Sequence, residues 1–120
     1  RVEEVSLNQN GKLVLGESIG DLGGLKIAWL AFQKSMQGKP RPANIDGFTP
    51  EQRFFLGWAQ VWGRKQTPES MRQQILTNPH PLGRFRTNGP LSNMPQFAEA
   101  FNCKQGDPMV RPPDQRCQVW

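Results

Sequence analysis

Two carboxylates, Glu17 and Asp21, are the residues whose spacing most directly suggests chemistry. They lie four positions apart, so on a helix both side chains project from one face, where like charges repel each other. Such a pair is costly unless a cation or a hydrogen-bond donor lies between the carboxylates. One carboxylate could bind a metal ion while the other orients a histidine ligand. The alternative is a solvated acidic helix start, which the helix dipole stabilises. From the spacing alone, this alternative is the favoured interpretation.

The two cysteines, Cys103 and Cys117, lie in the polar, proline-rich C-terminal part of the chain. They could be free thiols, a bridge to each other, or bridges to sequence outside this chain. Two cysteines without a CxxC spacing do not support a structural zinc site. A disulfide would imply an extracytoplasmic compartment.

Length and charge limit the classes of protein that the sequence can represent. The 120 residues fit one domain with a modest core, and the start at Arg1 predicts a chain cut or processed from a longer protein. The formal net charge is +5, but the basic residues are scattered, so we expect no nucleic-acid binding. No apolar run approaches the roughly 18 residues of a membrane span, and the polar N-terminus is not typical of a signal peptide.

The elements that must position these residues are predicted to be mainly α-helical. Apolar residues at three- and four-residue steps predict a helix over 17–36, after an extended lead-in at Leu13-Val14-Leu15. Gly20, Gly23 and Gly24 each cost this helix roughly 1 kcal/mol relative to alanine. We therefore expect them to serve a close approach to another helix or to a site.

Three further helices follow from start signals and apolar spacing. Thr49-Pro50-Glu51-Gln52 combines an N-cap, a first-turn proline and a capping-box glutamine, and predicts a helix to about Trp62. Aromatic residues on nearly every side of that helix predict burial against more protein than this chain provides. Thr67-Pro68-Glu69 predicts a helix to about Leu76 with one apolar face. Residues 78–90, rich in Gly and Pro, predict a loop, residues 94–101 a short helix, and residues 102–120 an irregular tail.

Five segments of the chain, in order, resemble motifs of the neprilysin and endothelin-converting-enzyme family. Residues 10–25, NGKLVLGESIGDLGGL, closely resemble its "NGxLTLGENIADxGGL" segment. Residues 54–62 resemble "FFLxxAQVW", and residues 80–86 resemble "HxPxxFR", although here a proline directly follows the histidine. Residues 97–103 resemble "FxxAFxC", and residues 117–120 resemble "CxVW". Five motifs in register identify the chain as similar to this family with high specificity.

The resemblance implies that residues 1–120 are the helical C-terminal portion of a zincin (thermolysin-like) catalytic domain. Glu17 would be the third protein ligand of one catalytic zinc ion, and Asp21 would hydrogen-bond a zinc-binding histidine. The other two ligands and the general-base glutamate come from an HExxH helix, which lies upstream in this family and is absent here. Because catalytic zinc takes three protein ligands plus water, we expect this fragment alone to bind zinc weakly and to be inactive.

Substrate contacts are implied for the histidine loop and for the end of the second helix. His80 would stabilise the oxyanion formed during peptide hydrolysis, and Arg86 would hold a substrate carbonyl by forked hydrogen bonds. Val61 and Trp62 match residues that line the pocket for the side chain after the cut bond. Without the resemblance, the favoured interpretations are an exposed loop histidine for His80 and an ordinary surface cation for Arg86. The alternative for Val61 and Trp62 is plain helix core, which is compatible with lining a pocket. The family spacing selects Arg86 rather than Arg84.

Departures from the family pattern bear on the compartment. Gly63 stands where animal members carry a cysteine, and Gln118 replaces an arginine of the animal C-terminus. Cys103 and Cys117 match positions that form disulfides with sequence upstream of this chain. The smaller number of disulfides indicates a bacterial member that is periplasmic or secreted.

The sequence therefore predicts an intact zinc endopeptidase that cuts oligopeptides before a hydrophobic residue. Its expected partners are peptide substrates and the upstream part of its own catalytic domain. The alternative is a non-enzymatic, basic helical module that binds a protein partner or nucleic acid. An HExxH motif some tens of residues before Glu17 would decide between these two hypotheses.

Overall fold

The computed structural model describes residues 1–119, which form five α-helices and two short 3-10 helices. The α-helices are α1 (Leu15–Met36), α2 (Pro50–Trp62), α3 (Pro68–Thr77), α4 (Gly83–Ser92) and α5 (Pro95–Ala100), and the 3-10 helices span Glu3–Val5 and Pro113–Gln115. Within residues 1–119, β-structure is limited to two isolated bridges. The predicted mainly α fold is confirmed. In this described part of the chain, no helix has both the length and the apolar character needed to cross a membrane.

The predicted helix start at residue 49 is observed in full. The Thr49 hydroxyl accepts the backbone N–H of Gln52 at 3.1 Å, and the Gln52 side-chain oxygen accepts the backbone N–H of Thr49 at 3.0 Å. Thr67 caps α3 in a similar way by accepting the backbone N–H of Ser70 at 3.3 Å. The reciprocal pair at α2 and the single bond at α3 satisfy N–H groups that the first turn leaves without helical partners, which explains why both starts could be predicted.

An aromatic-rich core joins α1 to the other helices. Leu25 and Trp29 of α1 are buried against Phe55 of α2 and Leu91 of α4. The rings of Trp29 and Phe55 are stacked with centroids 4.9 Å apart, an arrangement worth about 0.5–1.5 kcal/mol beyond the burial itself. Because α1 packs on α4, and α4 also packs on α2, this core fixes the helix that carries Glu17 and Asp21 relative to α4.

A second apolar cluster anchors the segment that precedes α4. Val5 of the first 3-10 helix, Ile75 of α3 and Leu82 are buried together, with Met71 packed against them. The predicted apolar face of α3 is therefore confirmed. This cluster holds both ends of the short loop that contains His80.

The predicted loop at residues 78–90 is wrong over most of its length, because residues 83–92 form α4. Pro90 lacks an N–H, so the carbonyl of Arg86 loses its helical partner, and the Trp58 indole N–H donates to that carbonyl at 3.2 Å instead. Gly83 allows α4 to touch the end of α2, since a Cβ built there would lie 2.5 Å from the Trp62 carbonyl oxygen. Tertiary contacts thus override the low helix propensity of Gly and Pro.

The extended lead-in predicted at Leu13-Val14-Leu15 is also wrong. The Asn10 side-chain oxygen accepts the backbone N–H groups of Lys12 and Leu13 at 3.1 and 3.2 Å, which forms a turn directly before α1. Val14 is the N-cap and is buried, so this apolar run opens the helix rather than a strand.

One face of α1 is exposed and apolar. A Cβ built at Gly20 or Gly24 would meet no described atom within 4 Å, so the close approach expected there is not found within residues 1–119. Four large apolar side chains of the same helix are also exposed, namely Leu15, Ile19, Ile27 and Leu30. Together these glycines and apolar side chains are called the open face of α1 below.

We expect Gly83→Ala to lower the free energy of unfolding by about 1–3 kcal/mol, because the added methyl group collides with the backbone of Trp62. Urea unfolding followed by tryptophan fluorescence measures this change. Gly89→Ala is the matched control in the same helix. A Cβ at Gly89 meets nothing within 4 Å, so its stability should be unchanged or raised by up to about 1 kcal/mol. Equal effects of the two substitutions would contradict the close approach at Gly83.

Candidate functional site

The guanidinium of Arg86 lies between the two carboxylates of α1. Its Nε and Nη2 donate to the two oxygens of Asp21 at 2.7 Å each, and Nη2 also donates to Glu17 Oε2 at 2.9 Å. The side chains of Arg86 and Asp21 are 12% and 8% exposed, so this is a buried, bidentate ion pair. Arg86 of α4 is thus the cation that offsets the repulsion between the two carboxylates, and the alternative of a solvated acidic helix start is wrong for Asp21, which is buried.

The carboxylates keep Arg86 charged. The pKa of Arg86 is raised above its ordinary value, first by the hydrogen bond from its side chain to Asp21. Burial opposes this rise, while the negative charges of Asp21 and Glu17 add to it. The guanidinium is thus a fixed positive charge at every pH at which the protein is folded.

Two tryptophans of α2 complete the surroundings of Arg86. The guanidinium carbon lies 3.9 Å from the centroid of the Trp62 ring, within the range of a cation–π contact. Trp58 packs edge-on against Trp62, with ring centroids 5.6 Å apart. Among the described residues, the buried indole nitrogen of Trp62 has no hydrogen-bond partner, so Trp62 contacts Arg86 through its ring face.

His80 lies in the loop between α3 and α4, as predicted, with its ring directed at Glu17. Its Nε2 is 3.4 Å from Glu17 Oε1, and its Nδ1 is 2.8 Å from Asn78 Oδ1. Asn78 Oδ1 also accepts the backbone N–H of His80 at 2.9 Å, so this oxygen is an acceptor and Nδ1 carries a hydrogen. The Asn78 contact therefore orients the ring and leaves Nε2 facing the site.

Two polar residues that orient the histidine loop were missed from the sequence. Gln74 of α3 donates to the carbonyl oxygens of His80 and Pro81 at 3.0 and 3.1 Å, and Asn78 holds the imidazole. The Asn-Pro-His run carried a usable signal, because Asn commonly accepts the backbone N–H two residues on. The role of Gln74 depends on the packing of α3 and had no local signal.

The remaining candidate residues, Val61, Trp62 and Arg84, lie in different surroundings. Trp62 is half-buried beside Arg86, whereas Val61 is 68% exposed, so the interpretation of Val61 as plain helix core is wrong. Arg84 lies away from the site, where it donates to Glu4 and to the carbonyl oxygen of Arg1 at 3.3 Å each. The family spacing thus selected the arginine that meets the carboxylates.

The two cysteines do not bridge each other. Within residues 1–119 both Cys103 and Cys117 are free, the first half-buried and the second exposed. Of the alternatives, a mutual disulfide is therefore wrong, and bridges to sequence outside this chain stay a prediction. Trp120, the last residue of the "CxVW" resemblance, lies outside the described residues.

The donor set fits one part of a zinc site. Glu17 is a partly exposed carboxylate with 37% of its side chain accessible, while both oxygens of Asp21 are occupied by Arg86. No group of three or more His, Cys, Asp or Glu residues that could hold a metal occurs in the described part of the chain. Catalytic zinc takes three protein ligands, so the partly exposed carboxylate of Glu17 fits one of them, and the described residues do not supply the other two.

Comparison with known proteins gives a consistent family assignment. The family model described as "Peptidase family M13" matches residues 1–119. The chain is 45% identical over 113 residues to endothelin-converting enzyme 1 of Mus musculus, covering 92% of this chain and 14% of that protein. It is 41% identical over 124 residues to Neprilysin-1 of Caenorhabditis elegans, covering 100% of this chain and 16% of that protein.

Solved structures show the same fold. The zinc metalloprotease Zmp1 of Mycobacterium tuberculosis in its open state superposes with a TM-score of 0.88 at 41% identity, over 94% of this chain and 17% of Zmp1. Zmp1 in complex with an inhibitor gives a TM-score of 0.86 at 42% identity, over 92% of this chain and 17% of Zmp1. The helices described above therefore match the helical part of a zincin catalytic domain, and the chain spans about one sixth of the proteins that it matches.

We expect Asp21→Asn to lower the free energy of unfolding by about 3 kcal/mol, because it leaves the buried charge of Arg86 without its main partner. Glu4→Gln, which breaks the exposed contact with Arg84, is the control and should cost less than about 1 kcal/mol. Both values come from urea unfolding at neutral pH. A loss for Asp21→Asn no larger than for the control would show that the buried pair does not stabilise the fold.

Proposed function

This chain belongs to peptidase family M13, and we propose that the protein containing it is a zinc-dependent endopeptidase that hydrolyses oligopeptides. The observation that carries the proposal is the convergence of His80, Arg86, Glu17 and Asp21, which come from three separate segments of the chain. Arg86 bonds both carboxylates, and His80 Nε2 lies 3.4 Å from Glu17. Titratable groups that meet in this way at a partly exposed position are typical of active sites.

Glu17 is the residue of this chain that would bind the zinc ion. When bound, zinc supplies the Lewis acid for peptide hydrolysis. Asp21 is buried, and both of its oxygens accept hydrogen bonds from Arg86. Its additional role toward a histidine ligand is implied by the family, and such a contact would use the remaining acceptor capacity of its carboxylate.

Arg86 and His80 would bind and polarise the substrate. The hydrogen bonds of Arg86 use Nε and Nη2, so within residues 1–119 the Nη1 amino group is left to donate to a peptide carbonyl. His80 donates through Nδ1 to Asn78, so only the doubly protonated imidazolium carries a further proton at Nε2, and in that form Nε2 would donate to an oxyanion in the site. Both side chains are held in place by hydrogen bonds within this chain and need little rearrangement when substrate binds.

The proposed preference for a hydrophobic residue after the cut bond rests on Val61 and Trp62. The Val61 side chain is exposed at the end of α2, and the adjacent Trp62 presents an aromatic surface next to Arg86. An apolar substrate side chain that covers Val61 would gain about 1–2 kcal/mol by burial of apolar area. The remaining walls of such a pocket would come from outside this chain.

The open face of α1 is the surface on which an upstream part of the domain would pack as the partner of this chain. Its four exposed apolar side chains and two uncovered glycines lie on the helix that carries Glu17. Contiguous exposed apolar area of this kind marks an interaction site. Because the chain covers only 14–17% of the proteins it matches, the sequence that supplies the missing ligands is the fitting occupant.

Neither charge nor geometry favours the alternative of a basic binding module. Arg41, Arg84 and Arg86 each pair with a carboxylate of this same chain, on Glu51, Glu4 and Asp21 respectively.

For the compartment, we propose a periplasmic or secreted protein, because Cys103 and Cys117 match positions that form disulfides with upstream sequence in this family.

We expect Glu17→Gln in the full-length protein to abolish zinc retention, because a neutral amide is a much weaker zinc ligand than a carboxylate. Metal content after dialysis, measured by mass spectrometry, tests this expectation. Glu3→Gln makes the same change at an exposed position and should retain one zinc ion per protein. The isolated 120-residue chain should hold little zinc, and tightly bound stoichiometric zinc there would contradict the incomplete site.

We expect His80→Phe and Arg86→Lys to change different kinetic constants of the full-length enzyme. His80→Phe should lower kcat by about a hundredfold with little change in KM, because an oxyanion donor acts on charge that develops in the transition state. Arg86→Lys keeps the positive charge beside Asp21 but loses the forked donor, so it should raise KM about tenfold.

Arg84→Lys is the matched control, since Arg84 is on the same helix but pairs with Glu4 outside the site. Its kcat and KM should stay within about twofold of the parent values. Small and equal effects of all three substitutions would contradict the roles proposed for His80 and Arg86 in substrate binding and turnover. Initial rates on a fluorogenic oligopeptide supply these measurements.

A further inference from the structure

Trp58 and Trp62 lie one turn apart on α2, and they contact the backbone and the guanidinium of Arg86 respectively. The Trp58 indole N–H donates to the backbone carbonyl of Arg86, and the Trp62 ring lies against the guanidinium. We propose that these two tryptophans are positioning residues that fix the Arg86 guanidinium for substrate binding. The proposal rests on the function proposed above for Arg86 and adds how this side chain is kept in place.

The contact of Trp58 exists because of a gap in the hydrogen bonding of α4. Pro90 is four residues after Arg86 and lacks the N–H that would normally bond the Arg86 carbonyl oxygen. The Trp58 Nε1 hydrogen bond at 3.2 Å satisfies this oxygen. A part-buried carbonyl without a partner is unfavourable, so the bond fixes the rotation of α4 at the position of Arg86.

The contact with Trp62 restrains the guanidinium of Arg86. Its ring centroid is 3.9 Å from the guanidinium carbon, which confines the flat guanidinium to one side. Trp58 packs edge-on against the Trp62 ring at 5.6 Å with an interplanar angle of 73°, so one indole supports the other. Because Gly83 has no side chain, α4 can approach the Trp62 carbonyl closely enough for both interactions.

Such restraint matters because only part of the guanidinium remains for substrate. Nε and Nη2 are used by Asp21 and Glu17, and the direction of Nη1 is then set by the plane of the group. A donor held in its binding orientation loses less side-chain freedom when the substrate binds. Loosening Arg86 should therefore weaken substrate binding without changing the chemical step.

Trp58→Phe in the full-length protein is the decisive variant. It removes the indole N–H but keeps an aromatic ring against Trp62, and Trp58 is not among the residues proposed to touch substrate. We expect KM on a fluorogenic oligopeptide to rise roughly threefold to tenfold, the usual effect of losing one hydrogen bond, with kcat within about twofold. In the Arg86→Lys background, the same substitution should leave KM unchanged, because the group that it positions is already gone.

Trp29→Phe is the matched control, since Trp29 is buried in the same core but contacts Phe55 rather than Arg86. Its KM should be unchanged even where stability falls. Equal KM changes for Trp58→Phe and Trp29→Phe, or additive effects of Trp58→Phe and Arg86→Lys, would overturn the positioning role. A raised KM for Arg86→Lys with a normal KM for Trp58→Phe would overturn it while leaving the proposed function intact.

A second measurement tests the positioning independently of catalysis. Hydrogen exchange of the Arg86 Nε–H, observed by NMR, should become at least roughly threefold faster in Trp58→Phe than in the parent protein. If Arg86→Lys leaves KM unchanged, the proposed role of Arg86 in substrate binding fails, and this exchange rate still decides whether Trp58 holds the side chain. An unchanged exchange rate would overturn the positioning role.

Discussion

The buried ion pair between Arg86 and Asp21 is the interaction on which the rest of the site depends. Removing two charges from water is expensive, so a pair of this kind stabilises a protein only when its geometry is very good and further contacts support it. Here the bond is bidentate at 2.7 Å, Glu17 accepts a further hydrogen bond, and an indole ring covers the guanidinium. These contacts come from α1, α2 and α4, so the charge is tolerated only when the three helices are assembled.

The same constraint explains the unusual sequence of α4. A ten-residue helix with Gly83, Gly89 and Pro90 is intrinsically poor, and its stability must come from its neighbours. Gly83 admits the backbone of Trp62, and Pro90 frees the Arg86 carbonyl for Trp58. Features that weaken the isolated helix therefore strengthen its attachment to α2. This trade of local stability for a defined tertiary position is common at functional sites.

The side of the site that carries Glu17 faces away from the core of this chain. Glu17 is partly exposed, the open face of α1 has no cover among residues 1–119, and the core is on the opposite side of that helix. The cited relatives are about five and a half to six and a half times as long as this chain, which agrees with the proposal that the site is shared between this segment and other sequence. The arrangement suits a cleft at a junction, where the two sides can each bring part of a donor set.

Local signals determined much of the fold in advance. The capping box of α2, the threonine N-cap of α3 and the proline that opens each helix specify hydrogen bonds within four residues, and the observed starts agree with them. The apolar spacing of α1 predicted its course for the same reason, since helical periodicity is a property of neighbouring residues. The motifs of residues 10–25 and 80–86 pointed to the family and, through its spacing, to Arg86 rather than Arg84.

Contacts between distant residues decided what the sequence left open. Spacing placed Glu17 and Asp21 on one helix face and left open whether solvent or a cation balances them. Arg86 is 65 positions beyond Asp21, and only the packing of α1 on α4 brings them together. The helix at residues 83–92 could not be predicted because its support comes from Trp58 and Trp62 on α2. Local rules count the cost of Gly and Pro in a helix, whereas the compensating contacts exist only after the chain has folded.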